Sequence, residues 1–174
     1  MLKRLSNWLL LLAIPCGAVL TSNGAKAADY LSLTYGAFQR SVPMSEVRQF
    51  AETQVATGDL QAILRMVPEE EEAQLLQALN VKLPLGVVAV NNLLNTELGK
   101  QLLTQGSKLT VRRDKAGSYA ISGALLTAAG TSEGLSLLTF LESYPAETVT
   151  FDLKALSAMT KDGNLANLLG GLGR

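Results

Sequence analysis

The sequence predicts a mostly helical (α+β) fold, in which a single multi-helix domain carries a small β-hairpin plus one additional short strand. Apolar residues recur at helical spacing along most of the chain from Met44 onward. Period-two alternation is confined to two short stretches, after Asp29 and around Val149. Proline and glycine separate the helical stretches, and we find neither a linker between two cores nor an internal repeat. A chain of 174 residues is long enough for one such core.

The first residues have the pattern of an export signal. Lys3 and Arg4 form a positive n-region, residues 8–19 are apolar, and the small-x-small sequence Ala25-Lys26-Ala27 follows. We therefore predict a signal peptide over residues 1–27 and cleavage between Ala27 and Ala28. We expect the protein to be exported to the periplasm, the thylakoid lumen or the extracellular space.

Two alternative interpretations of this segment stay open. A lipoprotein signal would use Cys16, but Pro15 precedes it where a small residue is expected. A retained anchor over residues 5–25 is about long enough to span a bilayer, but Pro15 and Gly17 interrupt it. Cleavage after Ala27 would leave no stable membrane span.

The composition excludes several classes of chemistry. The chain has no histidine, the usual general base and metal ligand, and its one cysteine lies in the predicted leader. It carries 15 basic and 15 acidic residues, and since Lys3, Arg4 and Lys26 would be removed, the processed chain would be acidic. Nucleic acid is therefore not an expected partner.

Strand patterns begin directly after the predicted cleavage site. Tyr30 to Val42 alternates around Gly36 and predicts a β-hairpin. Thr148 to Phe151 predicts a third strand that joins it. We expect Leu31, Leu33 and Phe151 to pack on the helices.

Three helices are predicted next. The first begins after Pro43 and ends near Gly58, and the second has Asp59 as its cap and an apolar stripe up to Val67. The third follows Pro68, and its first turn is Glu69 to Glu72, where acids favour the helix dipole.

The second half of the domain is also predicted to be helical. A helix opening at Pro84 ends near Asn95-Thr96, which caps a helix reaching Leu109 and so makes a helical hairpin. After a polar loop over residues 112–117, we predict a helix over 118–129, one capped by Thr131 or Ser132 and ended by Pro145, and a last helix over 153–159. The domain is thus expected over residues 28–162, followed by a flexible Gly/Leu-rich tail over 163–174.

No pattern predicts a catalytic, cofactor-binding or metal-binding residue. Gly134 to Leu138 is similar to the G-x-S-x-G nucleophile elbow but lacks the second glycine, and Ser136 is expected inside a helix. Ser157 and Lys161 stand four residues apart, a spacing that is common by chance. Distant carboxylate pairs are left open by sequence alone. We expect no enzyme activity and no cofactor.

The helices between Asp59 and Leu109 carry pairs of adjacent leucines. Such pairs widen an apolar face beyond the single stripe that core packing requires. They form the candidate apolar interaction surface, and the alternative is that the core buries them. The candidate residues are Leu75, Leu76, Leu93, Leu94, Leu102 and Leu103.

Several segments resemble a cyanobacterial domain of unknown function that usually precedes an α/β-hydrolase-like region in exported proteins. These segments include residues 35–43, 50–53, 93–99, 134–138 and 151–153. Taken in order, they span nearly all of the processed chain. The resemblance implies a stand-alone copy of that domain without the hydrolase region. The resemblance assigns no catalytic residue to any position of this sequence.

The resulting functional hypothesis is an exported, non-catalytic accessory or interaction module. Its expected partner is a protein, such as a hydrolase region on another chain. The alternative is a small carrier of a lipid or other apolar ligand held between the leucine-rich helices.

Overall fold

The computed structural model describes residues 27–110 and 115–155. The predicted leader up to Lys26, the rest of the predicted last helix after Ala155 and the tail over 163–174 lie outside the described residues, as do Ser157 and Lys161. None of the helices described is long and apolar enough to cross a membrane.

The described residues form a mostly helical α+β domain, which confirms the predicted fold class. In chain order, a β-hairpin is followed by seven helices and then by a third strand, which pairs with the hairpin. A further helical turn starts at residues 153–155. The strands are β1 (Tyr30–Tyr35), β2 (Phe38–Pro43) and β3 (Thr148–Asp152). The helices are α1 (Met44–Thr53), α2 (Gly58–Leu64), α3 (Glu69–Asn80), α4 (Val87–Leu94), α5 (Glu97–Leu109), α6 (Lys115–Ala129) and α7 (Leu137–Glu142).

The three strands form one mixed sheet in the order β2-β1-β3. β2 is antiparallel to β1, whereas β3 runs parallel to it. Leu31 lies opposite Val42 on one side and Val149 on the other, so the predicted hairpin and its third strand are confirmed. Leu31 and Phe151 pack against the main core as expected, and Leu33 is half-buried beside Arg40.

Several predicted helix boundaries are wrong. α2 begins at Gly58, so Asp59 lies in its first turn and is not its cap, and α6 begins at Lys115 instead of residue 118. α1 ends at Thr53 instead of near Gly58, because Gln54 adopts a left-handed backbone with φ of 62°. α4 begins at Val87 instead of Pro84, with Gly86 in an extended conformation at its cap. The backbone NH of Leu83 donates to the Leu135 carbonyl at 2.8 Å, which holds this part of the chain extended.

The position of Ser136 also differs from the prediction. Ser136 is the N-cap of α7 rather than a residue inside the helix, and the helix is not capped by Thr131 or Ser132. The Ser136 hydroxyl accepts from the Thr139 NH at 3.1 Å, and the Thr139 hydroxyl accepts from the Ser136 NH at 2.9 Å. This reciprocal capping box satisfies two otherwise unpaired amides.

The helical hairpin of α4 and α5 depends on Gly99. Thr96 caps α5 as predicted, and its hydroxyl accepts from the Gly99 NH at 3.0 Å. A Cβ on Gly99 would lie 2.0 Å from the carbonyl oxygen of Leu93. Only glycine therefore allows the two helices to turn this tightly.

The buried apolar residues form a main core and a smaller second cluster. The main core joins the sheet to α1, α2, α3, α6 and α7, with Phe50, Leu79, Val42 and Val149 among its most buried side chains. The second cluster lies between α4, α6 and the chain before α7, and its buried members are Val90, Ala128 and Leu135.

Candidate functional site

A cavity of about 330 Å³ lies between α1, α6, α7 and the first described residue, Ala27. Arg48, Glu133 and Glu142 contribute its charged groups. The rest of the lining consists mainly of small and hydroxyl side chains from Gly123, Thr127, Thr131, Thr139 and Ser143. Its volume is at the small end of the range for ligand pockets, about 300 to 1,000 Å³.

The charged groups of the cavity are already paired with one another. The Arg48 Nε donates to Glu142 Oε1 at 2.7 Å, and its Nη2 contacts the other oxygen of the same carboxylate. The Arg48 Nη1 lies 3.3 Å from Glu52 and 3.4 Å from Glu133. Hydrogen bonding to Glu142 raises the pKa of Arg48 above its already high ordinary value. The guanidinium thus links α1 to α7 and stays charged.

Two hydroxyl groups of the cavity, those of Thr131 and Thr139, are likewise used in the fold, and the Thr131 hydroxyl donates to the Ala128 carbonyl at 2.8 Å. Thr139 is buried, and its hydroxyl also donates to the Gly134 carbonyl at 2.8 Å. Throughout the described ranges, every buried side-chain nitrogen or oxygen has a hydrogen-bond partner. Within the same residues, no group of three or more Cys, Asp or Glu side chains is placed to hold a metal ion. The chemistry of the cavity is therefore that of a structural ion-pair network.

The six candidate leucines lie on three different helices, and all of them are half-buried. Leu75 and Leu76 on α3 and Leu103 on α5 pack against the main core. Leu94 on α4 packs against the second cluster. Leu93 and Leu102 are half-buried on α4 and α5. Much of their surface thus serves the core.

Four exposed apolar side chains of the same part of the chain lie close together in sequence, in residues 81–88, which we call the α3–α4 segment. Val88 is 74% exposed, and Val81, Leu83 and Val87 are each close to half exposed. Leu85 in the middle packs against the second cluster. The backbone of the segment is therefore held at Leu83 and its Leu85 side chain is packed, while the side chains of Val81, Leu83, Val87 and Val88 are exposed.

Sequence reasoning missed the α3–α4 segment because it began a helix at Pro84. A helix there would have turned Val87 and Val90 inward. The adjacent pair Val87 and Val88 was the available signal, since two consecutive helical residues point about 100° apart and one narrow core contact covers only one of them.

Ala27 and Ala28, the predicted cleavage pair, lie at the edge of the fold. Ala27 is exposed and lines the cavity, whereas Ala28 is only 5% exposed. The Ala28 NH donates to the Glu142 carbonyl at 3.3 Å. Ala28 is therefore held in the fold beside the end of α7.

Comparison with known proteins identifies one family. The family model described as "Alpha/beta hydrolase of unknown function (DUF1400)" matches residues 27–152, which is most of the chain. No curated protein and no solved structure gives a significant match. The described residues within the match build a three-stranded sheet with helices. They do contain the G-x-S-x-G spacing, at Gly130-Thr131-Ser132-Glu133-Gly134, which corrects the expectation above. This match lies in the turn after α6, whereas the nucleophile elbow of an α/β-hydrolase joins a strand to a helix. The chain belongs to the DUF1400 family through this helical domain.

Proposed function

We propose that the protein is an exported, non-catalytic interaction module that docks onto an α/β-hydrolase region through its α3–α4 segment. The observation that carries the proposal is the exposure of Val81, Leu83, Val87 and Val88 on a segment whose backbone is fixed. Contiguous exposed apolar patches are typical of protein interaction sites. These four residues lie within eight consecutive positions, which favours such a patch.

The absence of a poised nucleophile in the described residues supports the non-catalytic part. Serine needs a neighbouring base to attack an ester at neutral pH. The chain has no histidine to serve as that base. Ser132, the serine of the G-x-S-x-G match, is exposed in the turn after α6, and the buried Ser136 hydroxyl is engaged with Thr139. We expect the purified protein to leave acyl esters unhydrolysed.

The family description supports the choice of partner. It names an alpha/beta hydrolase, although the matched residues build a different, helical domain. The earlier resemblance to a cyanobacterial domain that precedes a hydrolase-like region is consistent with the same pairing. A domain that accompanies a hydrolase region is expected to present that region with a preformed apolar surface.

Binding of the protein to an isolated α/β-hydrolase region from the same cells tests this function. Met66 provides a matched control, because it is 74% exposed like Val88 but lies between α2 and α3. We expect Val88→Ser to weaken binding by about tenfold, the loss of roughly 1.4 kcal/mol, and Met66→Ser to leave it unchanged. Equal effects of the two variants would contradict the assignment of the segment.

Two further outcomes would replace the proposal with another function. A lipid that remains bound through purification, and is released by organic solvent, would support the alternative of an apolar carrier. Ester hydrolysis that is lost on a single serine substitution would establish an enzyme. The cavity beside Arg48 gives the carrier no specific support, because it is small and contains three charged side chains.

A further inference from the structure

The apolar face of the sheet continues beyond the helices that cover it. The strand register places Leu31, Leu33 and Tyr35 of β1 on one face, together with Phe38, Arg40 and Val42 of β2. Arg40 is the charged residue of this set, and its guanidinium pairs with Asp59 at 3.8 Å. Val42 is fully buried at one end of this face, whereas Tyr35 is 60% and Phe38 is 81% exposed at the other end. The two aromatic residues are directly opposite each other at the hairpin tip.

The parallel strand β3 brings the chain to the same tip. Asp152 at its end lies opposite Thr34, one residue before Tyr35. Adjacent strands are about 4.8 Å apart, so the end of β3 lies roughly 10 Å from β2 across the central strand. The chain that follows β3 therefore starts beside the exposed aromatic pair.

Asp152 directs the following residues into a helical turn. Its Oδ1 accepts from the Lys154 NH at 2.9 Å and from the Ala155 NH at 3.1 Å, as an N-cap residue does. Residues 153–155 are helical, and Leu153 is half-buried. The sequence after this turn is rich in apolar residues, namely Leu156, Met159, Leu165, Leu168, Leu169 and Leu172.

We propose that residues 156–174 of the same chain dock onto the aromatic tip formed by Tyr35 and Phe38. Its position immediately after β3 gives this segment a high effective concentration at the tip, which a separate partner lacks. Its apolar residues match the chemistry of the two rings. The docking completes the core at the end of the sheet that the helices leave uncovered, and it does not depend on the proposed function. It replaces the expectation of a flexible tail over residues 163–174.

Hydrogen exchange of the full chain, measured by mass spectrometry, tests this contact. We expect the amides of residues 156–174 to be protected and Phe38→Ser to abolish that protection. Val88→Ser is the matched control, because it also removes a largely exposed apolar side chain, on α4. It is expected to leave exchange in 156–174 unchanged. Since Phe38 is 81% exposed, its replacement leaves the rest of the fold intact, which the exchange of α1 amides verifies.

Three results would overturn the inference. The first is exchange of residues 156–174 at the rate of an unstructured chain in the unsubstituted protein. The second is protection that Phe38→Ser does not change, which would place the segment elsewhere. The third is a dimer in sedimentation that Phe38→Ser dissociates without affecting exchange in 156–174, which would make a second copy the occupant.

Discussion

The main core and the second cluster differ in how many apolar residues they bury. The main core combines the sheet with several helices and encloses Phe50, Val42 and Val149 almost completely. The second cluster has only three buried members, and the α3–α4 segment beside it keeps its valines exposed. Stability is thus concentrated around the sheet, while the α4 region has apolar surface available for a partner.

The largest expected effect comes from the main core. Phe50 is 1% exposed, and Phe50→Ala leaves a cavity that should lower the free energy of unfolding by about 3 to 5 kcal/mol. Val90 is 2% exposed in the second cluster, and Val90→Ala removes two methyl groups worth roughly 0.8 kcal/mol each. Urea denaturation of the two variants measures the contrast. A larger loss for Val90→Ala would reverse the ranking of the two regions.

The next effect concerns the α4–α5 hairpin. Gly99→Ala would bring a methyl group against backbone atoms of Leu93, so α4 and α5 must move apart at a cost of about 1 to 3 kcal/mol. Gly123 on α6 is a control, since no atom lies within 4 Å of a Cβ placed there. Thermal unfolding should show a lower midpoint for Gly99→Ala than for Gly123→Ala. Equal midpoints would mean that the hairpin adjusts without cost.

A smaller effect is expected from the ion-pair network between α1 and α7. Arg48→Met keeps the stem but removes the pairs with Glu142, Glu133 and Glu52, and partly exposed pairs contribute about 0.2 to 1 kcal/mol each. The destabilisation should shrink in high salt, because salt screens exposed charges. Since the pKa of Arg48 is raised, the guanidinium is charged at neutral pH, and on the alkaline side its contribution is lost only in strongly alkaline solution. Denaturation at two salt concentrations checks this, and a salt-independent loss would point to packing instead.

The smallest effect on stability should come from the α3–α4 segment itself. Val88→Ser changes a side chain that is 74% exposed, so the free energy of unfolding should stay within about 0.5 kcal/mol. Denaturation measures this in the same series. A loss above that range would show that Val88 is part of the folded core and would remove it from the candidate surface.

The sequence predicted the secondary structure better than it predicted the exposed surface. Alternation in residues 30–42 and around Val149 was enough to predict the sheet, because period-two patterns report directly on which face is buried. Paired leucines were less informative. Leu75 and Leu76 are both half-buried against the core, since several elements surround α3, and such surroundings depend on tertiary packing.

Sequence patterns could not predict several local features. The bridge between Leu83 and Leu135 joins residues far apart in the chain, and it delays the start of α4 to Val87. The need for glycine at position 99 follows from the approach of the Leu93 carbonyl, which no spacing rule indicates. The Arg48 network was also missed, because Glu133 and Glu142 are distant in sequence.

Removal of the leader is tested by N-terminal sequencing of the protein from its own cells. We expect the processed chain to begin at Ala28, after the small-x-small sequence that ends at Ala27. Because Ala28 is buried in the folded domain, cleavage should precede folding. An acylated start at Cys16 or an intact Met1 would contradict the prediction.

Cross-linking mass spectrometry in intact cells tests the central claim most directly. Lys82 is an exposed lysine within the α3–α4 segment, and Lys154 is an exposed lysine beside the sheet. An amine-reactive cross-linker should join Lys82 to an α/β-hydrolase region and join Lys154 to it rarely or not at all. Cross-links to that region through Lys154 alone, or none from either lysine, would contradict docking through the α3–α4 segment.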